Sequence, residues 1–176
     1  MSDVMRIQVA TDTLAQAEEL LAAATKAAEL QRLAFLAANS HWEKTRRAST
    51  PTSAKRSATA ACKHHEAAWK RAIRAQQQAE VDVAEEMARR LSQLLGRPVS
   101  HCVRLPEGDY GGLAITWFWP TEFEDADTQS AHAVGYALDV EGCYAVFGGD
   151  GGVFGQADLP QVLDMASVSL RQALAA

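Results

Sequence analysis

The stretch Leu91-Ser-Gln-Leu-Leu-Gly-Arg-Pro-Val-Ser-His-Cys-Val-Arg104 decides how this chain is built. Before it, apolar residues recur at every third or fourth position; after it, they alternate. Gly96 offers the left-handed residue that commonly ends a helix, and Pro98, with φ fixed and no amide hydrogen, stops the helix from resuming. A helical part, residues 1–97, is therefore expected to precede a strand-rich part, residues 98–176.

Working back from Gly96, a helix is expected from about Ser57 to Leu95. At about 100° per residue, Ala61, His65, Ala68, Trp69, Ala72, Gln76, Ala79, Val83, Met87 and Leu94 fall on one arc, with Lys63, Lys70 and Arg74 opposite. Ser49-Thr-Pro-Thr-Ser53 is a breaker cluster and marks a loop. Before it, Thr13 to Ala38 hold no Gly or Pro, and two apolar series recur at spacings of 3 or 4: Leu14, Ala17, Leu21, Ala24, Ala28 and Leu20, Ala23, Ala27, Leu30, Ala34. The resulting wide face of small residues lets a second helix come close. Asn39 and Ser40 are read as the end of this first helix; Val4 to Ala10 alternate weakly, as a short strand or lead-in, with Thr11 or Asp12 as the cap. Two long helices joined by a loop pair antiparallel most simply.

Beyond Pro98, Ser100 to Leu105, Leu113 to Trp119, Ala133 to Val140 and Cys143 to Phe147 read as strands with short connections, which favours an antiparallel meander. Asp158 caps a last helix with Pro160 in its first turn and Val162, Met165, Ala166, Val168, Ser169 and Leu170 on its packing side. The fold class is α+β: a long N-terminal antiparallel helical hairpin, then a small antiparallel β-meander with a C-terminal helix.

Within the last part, Gly148-Gly-Asp-Gly151 resembles the G-G-D-G core of the G-G-D-G-T motif in diacylglycerol-kinase-like and NAD-kinase-like proteins. That resemblance implies a nucleotide-phosphate cradle. Gly152 stands where the motif has Thr, and Val146-Phe147 and Val153-Phe154 flank the glycines symmetrically, so the tip of a β-hairpin is the preferred reading. Trp42 near the bend of an Ala-rich hairpin resembles the small secreted W-x-G helical-hairpin family, but Lys44 occupies the glycine position.

Charge is distributed unevenly. Between His41 and Arg74 there are nine basic residues, Lys44, Arg46, Arg47, Lys55, Arg56, Lys63, Lys70, Arg71 and Arg74, against Glu43 and Glu66, while the whole chain carries a net charge of −5. From Glu107 onward Arg171 is the one basic residue. The basic segment, placed at the far tip of the hairpin, is the candidate partner-binding surface, for a protein partner or for nucleic acid. Only Trp42 and Trp69 bracket it, so stacking on single strands is poorly supported.

Other chemistry is weaker. Cys62, Cys102 and Cys143 are odd in number and widely spaced, which argues against a disulfide framework or a thiolate zinc site. Adjacent His64 and His65 point about 100° apart on a helix. His101, Cys102, His132 and Cys143 would serve a Cys/His enzyme only if the fold converged them. Glu122, Glu124, Asp125 and Asp127 lack EF-hand spacing and read as a solvated loop. Ile115, Trp117 and Trp119 share one strand face, with Thr116 and Phe118 on the other, and most of these aromatics are expected in the core. With 48% hydrophobic and 22% charged residues the chain is globular rather than disordered. No catalytic residue, metal or cofactor is expected. The expectation is a non-enzymatic cytoplasmic adaptor or inhibitor, of phage or accessory-gene type, with no membrane partner and with self-association through the hairpin open to it; direct nucleic-acid binding is the alternative.

Overall fold

A computed structural model describes residues 3–106, 114–138, 144–148 and 153–175. Helix α1 (Asp3–Arg47) and helix α2 (Thr52–Leu95) form the hairpin. Strands β1 (Val99–Arg104), β2 (Ile115–Pro120), β3 (Val134–Leu138), β4 (Tyr144–Gly148) and β5 (Val153–Ala157) follow, with helix α3 (Ala126–His132) between β2 and β3 and helix α4 (Leu159–Ala175) at the end. The fold is α+β. Every strand pairs antiparallel with the next, giving one five-stranded sheet in the order β1-β2-β3-β4-β5.

Both hairpin helices are longer than their sequence signals. The backbone of Val4 to Ala10 is helical, which replaces the strand or lead-in, because no Gly or Pro interrupts the run that follows. Asn39 and Ser40 lie inside α1. Neither side chain forbids helical dihedrals, and Asn39 Oδ1 accepts from Cys62 Sγ of α2 at 3.9 Å, so it joins the helices rather than ending one. α2 opens at Thr52, directly after Pro51, whose φ of −57° suits a helix start. It closes at Gly96, with φ of 65° and its amide donating to the Ser92 carbonyl.

The buried arc of α2 is turned from the expected one. Trp69, Ala79, Val83 and Met87 are buried as expected, but Ala58, Ile73, Ala84, Ala88 and Leu91 are buried as well, whereas Ala61 and Leu94 are exposed. The lower part of α2 packs against α1, β1 and α4 together, and two-sided packing widens and rotates the covered arc. One hydrophobic core joins Leu14 and Leu21 of α1, Val83, Met87 and Leu91 of α2, Phe118, Val134, Tyr136 and Val146 of the sheet, and Leu159, Val162, Ala166 and Leu170 of α4.

The sheet therefore has a covered and an uncovered face. Thr116 and Phe118 turn toward the helices and are 3% and 0% exposed, while Ile115, Trp117 and Trp119 lie on the other face, half-buried. The two tryptophans are thus outside the core. The strand pairing of β4 with β5 agrees with a β-hairpin at the glycine-rich stretch, whose tip, residues 149–152, lies outside the described residues. The acidic stretch is partly helix: Asp125 caps α3, its carboxylate accepting from the Thr128 amide at 2.7 Å and held below the usual carboxylate range by that residue. In α4, Asp158 and Gln161 form a reciprocal cap at 2.9 and 3.1 Å; Val168 is exposed and Ser167 buried in its stead. Among the described residues no helix is long and apolar enough to cross a membrane.

Candidate binding surface on the hairpin

Local chemistry fixes the far end of the hairpin. The Ala48 amide donates to the Lys44 carbonyl at 3.1 Å, and the Thr50 hydroxyl to the Thr45 carbonyl at 2.9 Å, satisfying orphan groups at the end of α1. Across the gap, Trp42 Nε1 donates to Thr59 Oγ1 at 3.1 Å, and that hydroxyl donates to the Lys55 carbonyl at 2.9 Å. Trp42 is thereby held on its edge, and the Arg46 guanidinium lies 5.1 Å from its ring centre.

The nine candidate cations fall into separate groups. Lys44, Arg46 and Arg47 occupy the last turn of α1. Glu43 Oε2 forms ion pairs with Arg47 at 3.1 Å and Arg46 at 3.6 Å. Lys70 pairs with Glu66 at 3.2 Å. Such surface pairs contribute roughly 0.2–1 kcal/mol each, and they commit both acids of the basic segment within their own helices. Lys55, Arg56 and Lys63 are gathered with Thr52, Thr59 and Ala60 around an open groove of about 370 Å³. No carboxylate lines it. The spacing of these residues, 3 or 4 throughout, puts them along one face of the first three turns of α2. That helix starts with no side-chain cap and no acidic residue in its first turn, so the partial positive charge of its N-terminus adds to that of the side chains. Arg71 and Arg74 are exposed but farther along; Arg74 lies about 33 Å from Thr52 at 1.5 Å per residue.

The base of the hairpin holds two carboxylates that sequence reasoning passed over. Glu80 is 8% exposed, facing the sheet; Oε1 accepts weakly from Gln76 Nε2 at 3.4 Å, and Oε2 has no partner. Burial pushes its pKa up to about 7. Tyr136 of β3 is close enough to feel its charge: burial chiefly drives the phenol upward, a hydrogen bond with Thr116 works against this, and Glu80 adds a smaller upward push. The signal was available, since Glu80 sits four residues after Gln76 and three before Val83 on the packing side. Glu86 is the opposite case: it accepts from Arg89 at 2.6 and 2.7 Å, Arg90 at 3.1 Å and the Thr13 hydroxyl at 2.6 Å, and its pKa is drawn down to about 2, chiefly by Arg89.

The remaining candidates stay apart or go without a ligand set. His64 and His65 meet edge to face at 5.6 Å. His101 turns toward Phe118 at 6.4 Å, so its neighbour Cys102, exposed, points to the opposite face of the sheet. His132 packs on Phe123 at 5.5 Å, and Cys143 lies outside the described residues. Among the described residues no three His, Cys, Asp or Glu side chains converge as a metal site. No protein-family model matches the chain, and no curated protein matches it in sequence.

Proposed function

We propose that the protein is a non-enzymatic interaction protein, an adaptor or inhibitor whose hairpin presents its basic far end to an acidic face of a partner protein. The observation carrying this reading is the groove on α2, where Lys55, Arg56 and Lys63 stand with two threonines and no carboxylate. Ammonium and guanidinium groups donate only, and charge-assisted bonds to carboxylates are roughly twice as strong as neutral ones; the Thr59 hydroxyl is already committed to the Lys55 carbonyl. Nucleic acid is the second reading and is disfavoured by Trp42. Its indole is bonded to Thr59 and covered by Arg46, so it offers no free ring to a base.

The test is a charge reversal, Lys55→Glu with Arg56→Glu and Lys63→Glu, in the full chain. Fluorescence anisotropy would follow a labelled poly-glutamate peptide and a duplex DNA over a salt series. The expected result is peptide binding by wild type, lost in the variant at unchanged helix content. DNA binding steeper in salt than peptide binding, with a log–log slope of about −0.9 per phosphate, would move the assignment to nucleic acid. Equal binding by both proteins would remove the groove from the function.

A further inference from the structure

Helix α1 carries two seams of the same period. The inner one runs at alternating spacings of 3 and 4 from Leu14 through Leu21, Ala28 and Phe35 to Trp42, and each of these five is buried or half-buried against the rest of the chain. The outer one has the same spacing one residue earlier: Leu20, Ala23, Ala27, Leu30, Ala34 and Ala37. It lies about 100° around the helix from the first. Here Leu20 is 65% and Leu30 58% exposed, and Ala23, Ala27 and Ala37 are exposed as well. A heptad-type apolar seam is what a helix offers to another helix. α2 covers only one of the two.

We propose that a second copy of this chain covers the outer seam, the two α1 helices running antiparallel so that each basic hairpin tip lies against the acidic base of the other copy. Two features of the chain select this occupant. The first is size. Set antiparallel about a two-fold axis between Ala27 and Leu30, the seam places Leu20 opposite Ala37, Ala23 opposite Ala34 and Ala27 opposite Leu30. Large meets small on either side of an all-alanine layer, which is how facing positions fill space without voids. A parallel pair would set leucine on leucine and alanine on alanine, with gaps between.

The second feature is charge. The segment from His41 to Arg74 has nine cations and two acids, whereas the chain as a whole is at −5. Parallel pairing would put tip beside tip. Antiparallel pairing brings Lys44 of one copy level with Thr13 of the other, within two turns of Glu18 and Glu19, and brings Arg46 and Arg47 beside the same end. Glu18 and Glu19 lie one to two turns from Thr13 on the same helix, and α1 has no basic residue between Thr13 and Lys26. The seam alone covers about 26 Å of helix. A stable interface needs about 800 Å² per partner, so the two tip-on-base contacts are an essential part of it. The groove on α2 is lined by no residue of α1, so the groove and the seam are carried by different residues, and the variants that test the two readings do not overlap. The pair would carry two such grooves at opposite ends.

Sedimentation velocity of the full chain at low salt is the first measurement, with a dimer expected that dissociates as salt rises. Leu30→Glu should raise Kd on the order of a hundredfold, because each copy forfeits one leucine burial. Its monomer should keep the wild-type circular dichroism, since the position is exposed there. Orientation is read by oxidising a mixture of Ala23→Cys and Ala34→Cys chains with the native cysteines changed to serine. Cross-links between unlike chains are expected. A wild type that stays monomeric at the highest attainable concentration overturns the proposal, as does a dimer indifferent to Leu30→Glu. Cross-links chiefly between like chains overturn it as well, and this readout still decides the matter if Leu30→Glu fails to fold.

Discussion

The rings of Phe35 in α1 and Trp69 in α2 stack across the hairpin with centroids 5.3 Å apart and planes 24° from parallel. Around them both helices are rich in alanine, so this pair supplies much of the apolar area in the middle of the hairpin. Trp69→Ala should cost about 3–5 kcal/mol and Phe35→Leu about 1 kcal/mol by thermal unfolding. Hydrogen exchange should show the loss first in amides between Phe35 and Trp69, ahead of the sheet.

Glu80 should make stability fall as pH rises. Its folded pKa of about 7 lies above the ordinary 4.5, so its contribution is full below the ordinary value and disappears as pH climbs through the window up to about 7. Gln76 on its own helix donates to it and Tyr136 from β3 lies close enough to feel its charge; neither is a cation. Glu80→Gln should therefore exceed wild type in stability above about pH 8, by on the order of 3 kcal/mol, and match it in acid. Paired melts across pH would check this; a variant less stable than wild type at high pH would contradict it.

Glu86 should act in the reverse sense. With its folded pKa drawn down to about 2 by Arg89, Thr13 and Arg90, its contribution is present above the ordinary carboxylate value and is lost as pH falls from 4.5 toward 2. Glu86→Gln should cost about 1–2 kcal/mol at neutral pH and progressively less in acid. Thr13→Val should reproduce part of the loss, since it removes the one contact of the set that reaches α1.

Gly96→Ala should cost about 1 kcal/mol, entirely through its left-handed φ of 65°, because an added Cβ would meet nothing within 4 Å. Gly96→Asn should cost less, as Asn tolerates that region better. Chemical denaturation should show a lower midpoint at an unchanged m-value, the mark of a change in stability alone.

What was legible in the sequence were the signals that act through the backbone itself. Pro51, Gly96 and Pro98 restrict dihedrals wherever they stand, so the two breaks in the helical part and the change to strands could be placed from them. Asn39 and Ser40 misled because their preference for helix ends is weak and contact with α2 overrides it. α3 was hidden by its acids: Asp125 looked like one more solvated charge, while its role as a cap depends on the Thr128 amide three residues on. The groove residues Lys55, Arg56 and Lys63 were identified, but which of the nine cations would share a surface depended on where α2 begins. Glu80 was legible only from its place on the packing side beside Gln76 and Val83, a signal that the usual assignment of carboxylates to solvent overrides.

The meander and the hairpin have a consequence for the order in which the chain assembles during synthesis. Each strand bonds only to its sequence neighbours, and the two longest helices are joined by four residues, 48–51, so most loops to be closed are short and contact order is modest. Translation delivers the Phe35–Trp69 stack long before Phe118 or Leu159. Val83, Met87 and Leu91 can meet Leu14 and Leu21 as soon as α2 is made, but the part of their cover that comes from the sheet and α4 is added only when those segments leave the ribosome. The interval before then is when the nascent chain is most exposed to chaperones and to aggregation.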